Sequence, residues 1–276
     1  MEMLGEPGKV TITGNTFQHI EPYFECDYKG TALTKSRTKV DMYVVQRIKP
    51  ELSINGEGLV PNSRFEEIKK LHHYSSIKYY KTEHHVMGIL QKSLSPSLYY
   101  HSIKHTKDVV KSVERIALLE GVTDEGLFLL KTAAIFHDAG FIEQYDHNEG
   151  IGARMAQEIL PKYGYTEQHV KTIVELIHAT EIPHKPINKL QEIICDADLD
   201  YLGRDDFEEI ADNLRKELTE MGKIKSRKEW DEIQVKFLNQ HQYFTATALG
   251  SRQQKKQENL ERVIERLSSN MYSYAL

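Results

Sequence analysis

Four side chains able to ligate a divalent ion follow one another along this sequence: His105, then the adjacent pair His137 and Asp138, then Asp198. Two imidazoles with two carboxylates make a mixed nitrogen and oxygen donor set, suited to Zn, Mn, Fe or Mg. The His137-Asp138 pair closes a largely apolar run, Leu127 to Phe136, just before Gly140. An ionised carboxylate at the end of a buried helix is costly unless it is paired or metal-bound. Taken alone, the dipeptide is equally well read as a helix-end pair satisfied by backbone groups. His101 stands one helical turn before His105 and is expected to face the same side. The pairs His72-His73 and His84-His85 lie in a Lys- and Tyr-rich stretch and read as solvated, because neighbours on a helix do not converge on one ion.

The elements that must hold these groups fall into two kinds. Lys9 to Thr13, Tyr23 to Tyr28 and Val40 to Ile48 are rich in β-branched and aromatic residues and read as strands, the last two as a long hairpin. Pro50, Gly56, Gly58 and Pro61 punctuate residues 50–63 and mark a linker. Beyond it the apolar spacing becomes helical. Phe65, Ile68, Leu71, Tyr74 and Ile77 recur at that period in a helix from Arg64 to Leu90, which Ser95-Pro96-Ser97 ends. Further helices are expected over Tyr99 to Glu120, Asp124 to Ala139, Glu149 to Leu160 and Glu167 to Ala179, and then over Leu190 to Leu202, Phe207 to Met221 and Glu229 to Leu249. Gly121, Gly140, Gly164 and Gly203 sit where glycines stop helices. Residues 251–276 form a polar tail with Leu260, Val263, Ile264 and Leu267 at helical spacing. The reading is a mainly α fold, a helical bundle with a small N-terminal antiparallel β segment.

The composition narrows the function classes. With 276 residues the chain can bury a substantial core, and its net charge of −5 without a long basic block argues against nucleic acid as the partner. Cys26 and Cys195 are its only cysteines, so neither a disulfide framework nor a thiolate zinc site is indicated, and a reducing, cytoplasmic setting is expected. No stretch is apolar for about 18 residues, so no membrane span is expected.

The order His, His-Asp, Asp over residues 64–250 resembles the HD superfamily of metal-dependent phosphohydrolases. The resemblance implies that His105, His137, Asp138 and Asp198 bind the metal, with Asp138 placed to bridge a second ion. The family pattern puts the last ligand directly after a small residue, here Ala197, which selects Asp198 and leaves Asp196 and Asp200 as supporting or solvated groups. The run Asp196 to Gly203 also looks like the form this motif takes in bacterial HD phosphohydrolases. Dinuclear members add histidines between the His-Asp pair and the final Asp; His147 and His178 occupy that interval, though a lone His beside Ile177 is more often a core residue. The run from Tyr100 to Val109 resembles the start of the class I cyclic nucleotide phosphodiesterase catalytic domain. That likeness implies that His101 protonates the leaving oxygen. The activity implied is hydrolysis of a phosphoester, in a nucleotide or cyclic nucleotide, by water activated at one or two divalent ions. Lys104, Arg154, Lys185 and Arg204 are candidates for holding phosphate oxygens.

Residues 1–49 resemble the C-terminal end of a class III adenylate/guanylate cyclase domain, through Gly5 to Ile12, Phe24 to Cys26, Tyr28 to Gly30 and Val40 to Val45. The catalytic core of such a domain would lie upstream of Met1, so this chain is not expected to cyclise nucleotides. The segment is read either as a piece of a cyclase-HD fusion, with a homodimer as its corollary, or as a hairpin covering the helical domain. The competing reading of the whole is a silent metal- or nucleotide-binding regulatory or dimerisation module of a cyclase.

Overall fold

The computed structural model describes residues 8–33, 39–122 and 124–269, in two compact units, Met1–Tyr74 and Ser75–Leu276. Gly5, Glu6 and Pro7 of the cyclase-like stretch lie outside the described residues, as do the side chains of Ile68, Leu71, His72, His73, Tyr74 and Ile77.

In the first unit β1 (Val10–Thr13), a short helix α1 (Gly14–Ile20), β2 (Phe24–Leu33) and β3 (Lys39–Ile48) form an antiparallel sheet in the order β1-β3-β2. The expected hairpin is therefore present. Alternation on β2 is broken by register shifts after Glu25 and after Tyr28, which leaves Tyr28 exposed although Phe24 and Cys26 are half-buried. Helix α1 was not expected; Thr13 caps it through Thr16 N–H, and Phe17 stacks on Tyr43 of the central strand at 3.9 Å. Residues 50–63, expected as a linker, are folded: two 3-10 turns, a Ser53–Pro61 bridge and a buried Leu52 packed with Tyr23, Ile48 and Phe65.

The long helix α2 (Ser63–Ser93) leads into α3 (Ile103–Leu119), α4 (Asp124–Phe136), α5 (Asn148–Ile159), α6 (Glu167–Ala179), α7 (Lys189–Asp198), α8 (Phe207–Glu220), α9 (Arg227–Gln240) and α10 (Ala246–Ser268). Helix α4 packs against α3, α5, α6 and α7, which is why Leu129 to Phe136 are buried on nearly every face rather than along one stripe. Val109, Val113 and Ile116 carry the matching stripe of α3. A second core joins Leu199, Leu202 and Phe207 to Trp230, Leu260 and Val263.

Two helix boundaries differ from expectation because a side chain takes over backbone groups. Helix α3 begins at Ile103 instead of Tyr99, since the Glu217 carboxylate accepts the Tyr100 and His101 N–H groups and Ser102 is extended. His101 therefore precedes the helix instead of lying one turn back along it. The helix expected from Glu229 to Leu249 is broken at residues 241–245, where Asp196 accepts the N–H groups of Phe244 and Thr245 and the Thr245 hydroxyl. Thr245 then caps α10, which runs unbroken past residue 250 and buries Leu260 and Val263 in its own domain. Helix α7 stops at Asp198 and continues as a 3-10 turn over Asp200–Gly203.

Gly121 and Gly164 adopt the left-handed conformation of helix stops, whereas Gly140 serves a different need. A Cβ there would lie 1.9 Å from the Asn148 carbonyl oxygen, and one on Gly152 would lie 2.5 Å from that of Phe136. Both positions let α5 close tightly on the His137-Asp138 segment.

Asp196 is fully buried, and burial pushes its carboxyl up to about 6 despite the donors from Phe244 and Thr245. The folded state thus holds a proton that the unfolded chain releases near the ordinary aspartate value of about 4, so stability falls as pH rises between the two. Denaturant titrations should show a loss of about 3 kcal/mol across that window, absent in Asp196→Asn.

Candidate metal centre

The cluster is assembled from the ends of three helices. His105 sits in the first turn of α3, His137 and Asp138 directly follow α4, and Asp198 is the last residue of α7. The Nε2 atom of His105 lies 3.1 Å from Asp198 Oδ1 and 3.4 Å from Asp138 Oδ2. Nε2 of His137 lies 3.2 Å from Asp138 Oδ2, 3.4 Å from Asp198 Oδ1 and 3.3 Å from His105 Nε2. Ligand atoms of His105, His137 and Asp198 all fall within 4.8 Å of one another.

Backbone geometry decides which His137 nitrogen faces the cluster. Its Nδ1 lies 2.8 Å from the Ala134 carbonyl oxygen, an acceptor only, so Nδ1 carries the proton and Nε2 presents its lone pair. That lone pair meets two carboxylate oxygens and a second imidazole in a nearly closed space, His137 being 1% exposed. Asp138 Oδ2 is buried with no hydrogen-bond partner among the described residues. Such a convergence of acceptors requires positive charge. The electrostatics agree: burial lowers the His137 imidazolium, but Asp138 and Asp198 reverse this and hold it well above its ordinary value. Against the same burial, the two histidines hold Asp198 well below the usual carboxylate range. The residues present therefore fit a divalent ion.

His101 lies beside this cluster, its ring 6.3 Å from that of His105 and stacked on Phe141 at 3.9 Å. Its Nδ1 is hydrogen-bonded to Glu217 Oε1, which also accepts from the Tyr145 hydroxyl at 2.9 Å. Glu217 is fully buried on α8; burial alone would raise its carboxyl, but His101 and the donors around it hold it below its ordinary value. No motif surrounds Glu217 in the sequence, so only the fold reveals it.

The other expected site residues are placed elsewhere. His178 is exposed and bonded to Glu181 at 2.6 Å, and His147 is an exposed left-handed residue at the start of α5; neither joins the cluster. The imidazole that does approach it is His184, with Nε2 3.9 Å from Asp198 Oδ2 and neither ring nitrogen partnered among the described residues. In the sequence it is the last of four histidines in the interval before Asp198, after His147, His169 and His178. Lys104 is exposed beside Glu209, Arg154 pairs with Glu143, Arg204 is held by Asp108 and Asp206, and Lys185 is exposed. Asp200 is buried, not solvated, and holds Arg115 and Arg252. Asp196 and Asp200 share one face of the turn, which leaves the Asp198 carboxylate to the cluster.

The cluster opens into a cavity of about 220 Å³ shared by His101, His105, Asp138 and Asp198. No helix among the described residues is long and apolar enough to cross a membrane.

A search of the curated proteins found no match. Among solved structures the chain is similar to Bacillus subtilis YpgQ in complex with ADP, at 17% identity and a TM-score of 0.51, covering 71% of this chain and 98% of that one. It is also similar to a structure described as a predicted HD superfamily hydrolase from an uncultured Thermotogales bacterium, at 19% identity and a TM-score of 0.44, covering 70% of this chain and 92% of that one. At these identities the first likeness speaks for the fold alone. The family model described as HD domain matches residues 102–264, a span that contains His105, His137, Asp138 and Asp198 and more than half of the sequence. The chain belongs to the HD domain family, a superfamily of metal-dependent hydrolases.

Proposed function

We propose that this chain is a metal-dependent phosphohydrolase that cleaves a nucleotide phosphoester, with His105, His137, Asp138 and Asp198 as metal ligands and His101 as general acid. The observation that carries this reading is the buried, unpartnered Asp138 Oδ2 among converging acceptors, opening on the cavity that His101 also lines. The ADP bound in YpgQ supports a nucleotide as the substrate class.

A divalent ion supplies, when bound, Lewis acidity toward the phosphoryl group and a water acidified toward neutrality. The protein's own part is positional. His137 is fixed by the Ala134 carbonyl, and Asp138 follows on the same tight turn, so both present their donors without reorganisation. As the oxygen of water bonds to phosphorus and gives up a proton to solvent, the ester P–O bond breaks and the leaving oxygen takes a proton from His101 Nε2, which regains one from solvent after the product leaves. Glu217 fixes Nδ1 of that ring and faces the imidazolium with a buried negative charge. The apolar ring of Phe141 limits the imidazole to that orientation. We read the sheet of the first unit as the end of a cyclase domain; its antiparallel hairpin is consistent with that origin.

Phosphoester hydrolysis by the Mn-loaded chain, followed over a panel of cyclic and linear nucleotides, should be abolished in Asp138→Ala. His101→Gln should lower kcat by about 10² to 10³ while leaving metal content unchanged. In Glu217→Gln the buried charge that faces the His101 imidazole is lost while the ring keeps its contact with Phe141, so kcat should fall at unchanged metal content. An unchanged kcat would assign Glu217 a purely structural role.

A further inference from the structure

The attacking water must lose a proton as its oxygen bonds to phosphorus, and a base held within reach speeds such a step by about 10² to 10⁴. The cavity has an apolar end, walled by Leu214 and Leu218 of α8 and by Trp230 and Phe237 of α9, which offers no such group. At its polar end most titratable side chains are already committed. His105, Asp138 and Asp198 belong to the ligand set, and His101 is paired with Glu217. Tyr100 and Tyr201 keep their protons, burial pushing both phenols up. His184 does not line the cavity, although it approaches Asp198 from behind. Glu149 remains.

Glu149 is the second residue of α5, where a carboxylate ordinarily complements the helix N-terminus from the solvent side. Here it is half-buried and lines the cavity with Asp138 and Asp198. The cause is the close approach at Gly140: the neighbouring Asn148 carbonyl occupies the space of a Cβ there, which seats the first turn of α5 on the turn that carries Asp138. Among the described residues the one donor to the Glu149 carboxylate is its own backbone N–H, and no cation pairs with it. It stands outside the group of atoms that converge on the ion position. Burial raises its carboxyl above the ordinary value, with smaller contributions from Glu181, Asp138 and Asp198, so it lies within electrostatic reach of the cluster. A carboxylate that is desolvated, uncommitted and beside the ligands is placed to accept a proton, not to brace the fold.

We propose that Glu149 is the general base of the reaction: its carboxylate takes the proton that the attacking water yields and passes it to solvent once the product has left. Glu149 thus gains a proton in the step in which His101 gives one to the leaving oxygen, and exchange with solvent resets both. This rests on the phosphohydrolase reading and adds to it the residue that serves the attack.

The test follows bis(p-nitrophenyl) phosphate hydrolysis by the Mn-loaded full chain, because p-nitrophenolate leaves without needing a proton and the rate then reports the attack. Glu149→Gln should lower kcat by about 10² to 10³ while Mn²⁺ affinity and stoichiometry, measured by calorimetry, stay those of the wild type. In Glu149→Ala, small carboxylates such as formate and acetate should restore turnover, at rates that rise with their basicity. Mn²⁺ binding weakened tenfold or more in Glu149→Gln would make Glu149 a ligand and overturn the inference. So would a kcat within threefold of wild type, or a loss that no added carboxylate restores. Each of those results leaves wild-type turnover in place and the phosphohydrolase reading with it; a wild-type chain that turns over no phosphoester removes both.

Discussion

Two carboxylates and two imidazole lone pairs converge in a space nearly closed to water, and that arrangement is tolerable only around positive charge. Much of the helical domain serves to impose it. Helix α4 is buried on nearly all sides, so its end cannot swing out, and the Ala134 carbonyl turns His137 Nε2 inward. Gly140 and Gly152 allow α5 to press against the same turn with no side chain between. Asp196 and Asp200 anchor α7 by accepting backbone N–H groups and arginines, respectively, which holds Asp198 where the cluster needs it. Without a bound ion, a proton held on His137 is the remaining source of that charge, so metal and proton compete for one place.

The second constraint is the contrast between that polar end and the walls of α8 and α9. A dry apolar boundary strengthens every electrostatic interaction inside it, including the pairing of His101 with the buried Glu217. Glu217 also determines where α3 begins, because it takes the Tyr100 and His101 N–H groups. One carboxylate thus links a helix boundary to the orientation of the proposed acid.

The readable part of this fold is the part governed by local periodicity. Helix α6 matches its expected span because its cap, apolar stripe and end are all local signals, and the β2-β3 hairpin follows from composition. The spacing of His, His-Asp and Asp was equally legible. What the sequence concealed depends on distant partners. The break before α10 is made by Asp196, some fifty residues earlier, and the late start of α3 is made by Glu217. For the same reason His178, at the end of an apolar helix, points to solvent, while His184, in an unpatterned loop, approaches Asp198. The arginines and the lysine suggested as phosphate groups were chosen by type alone, and their carboxylate partners could not be seen.

The most direct test of the central claim is Mn²⁺ binding by calorimetry in buffers of differing ionisation enthalpy, at pH values between about 6 and 8. If the cluster exchanges a proton for an ion, binding releases a proton, tightens as pH rises, and is lost in His137→Gln. Mn²⁺ affinity that is independent of pH and unchanged in that variant would contradict the account.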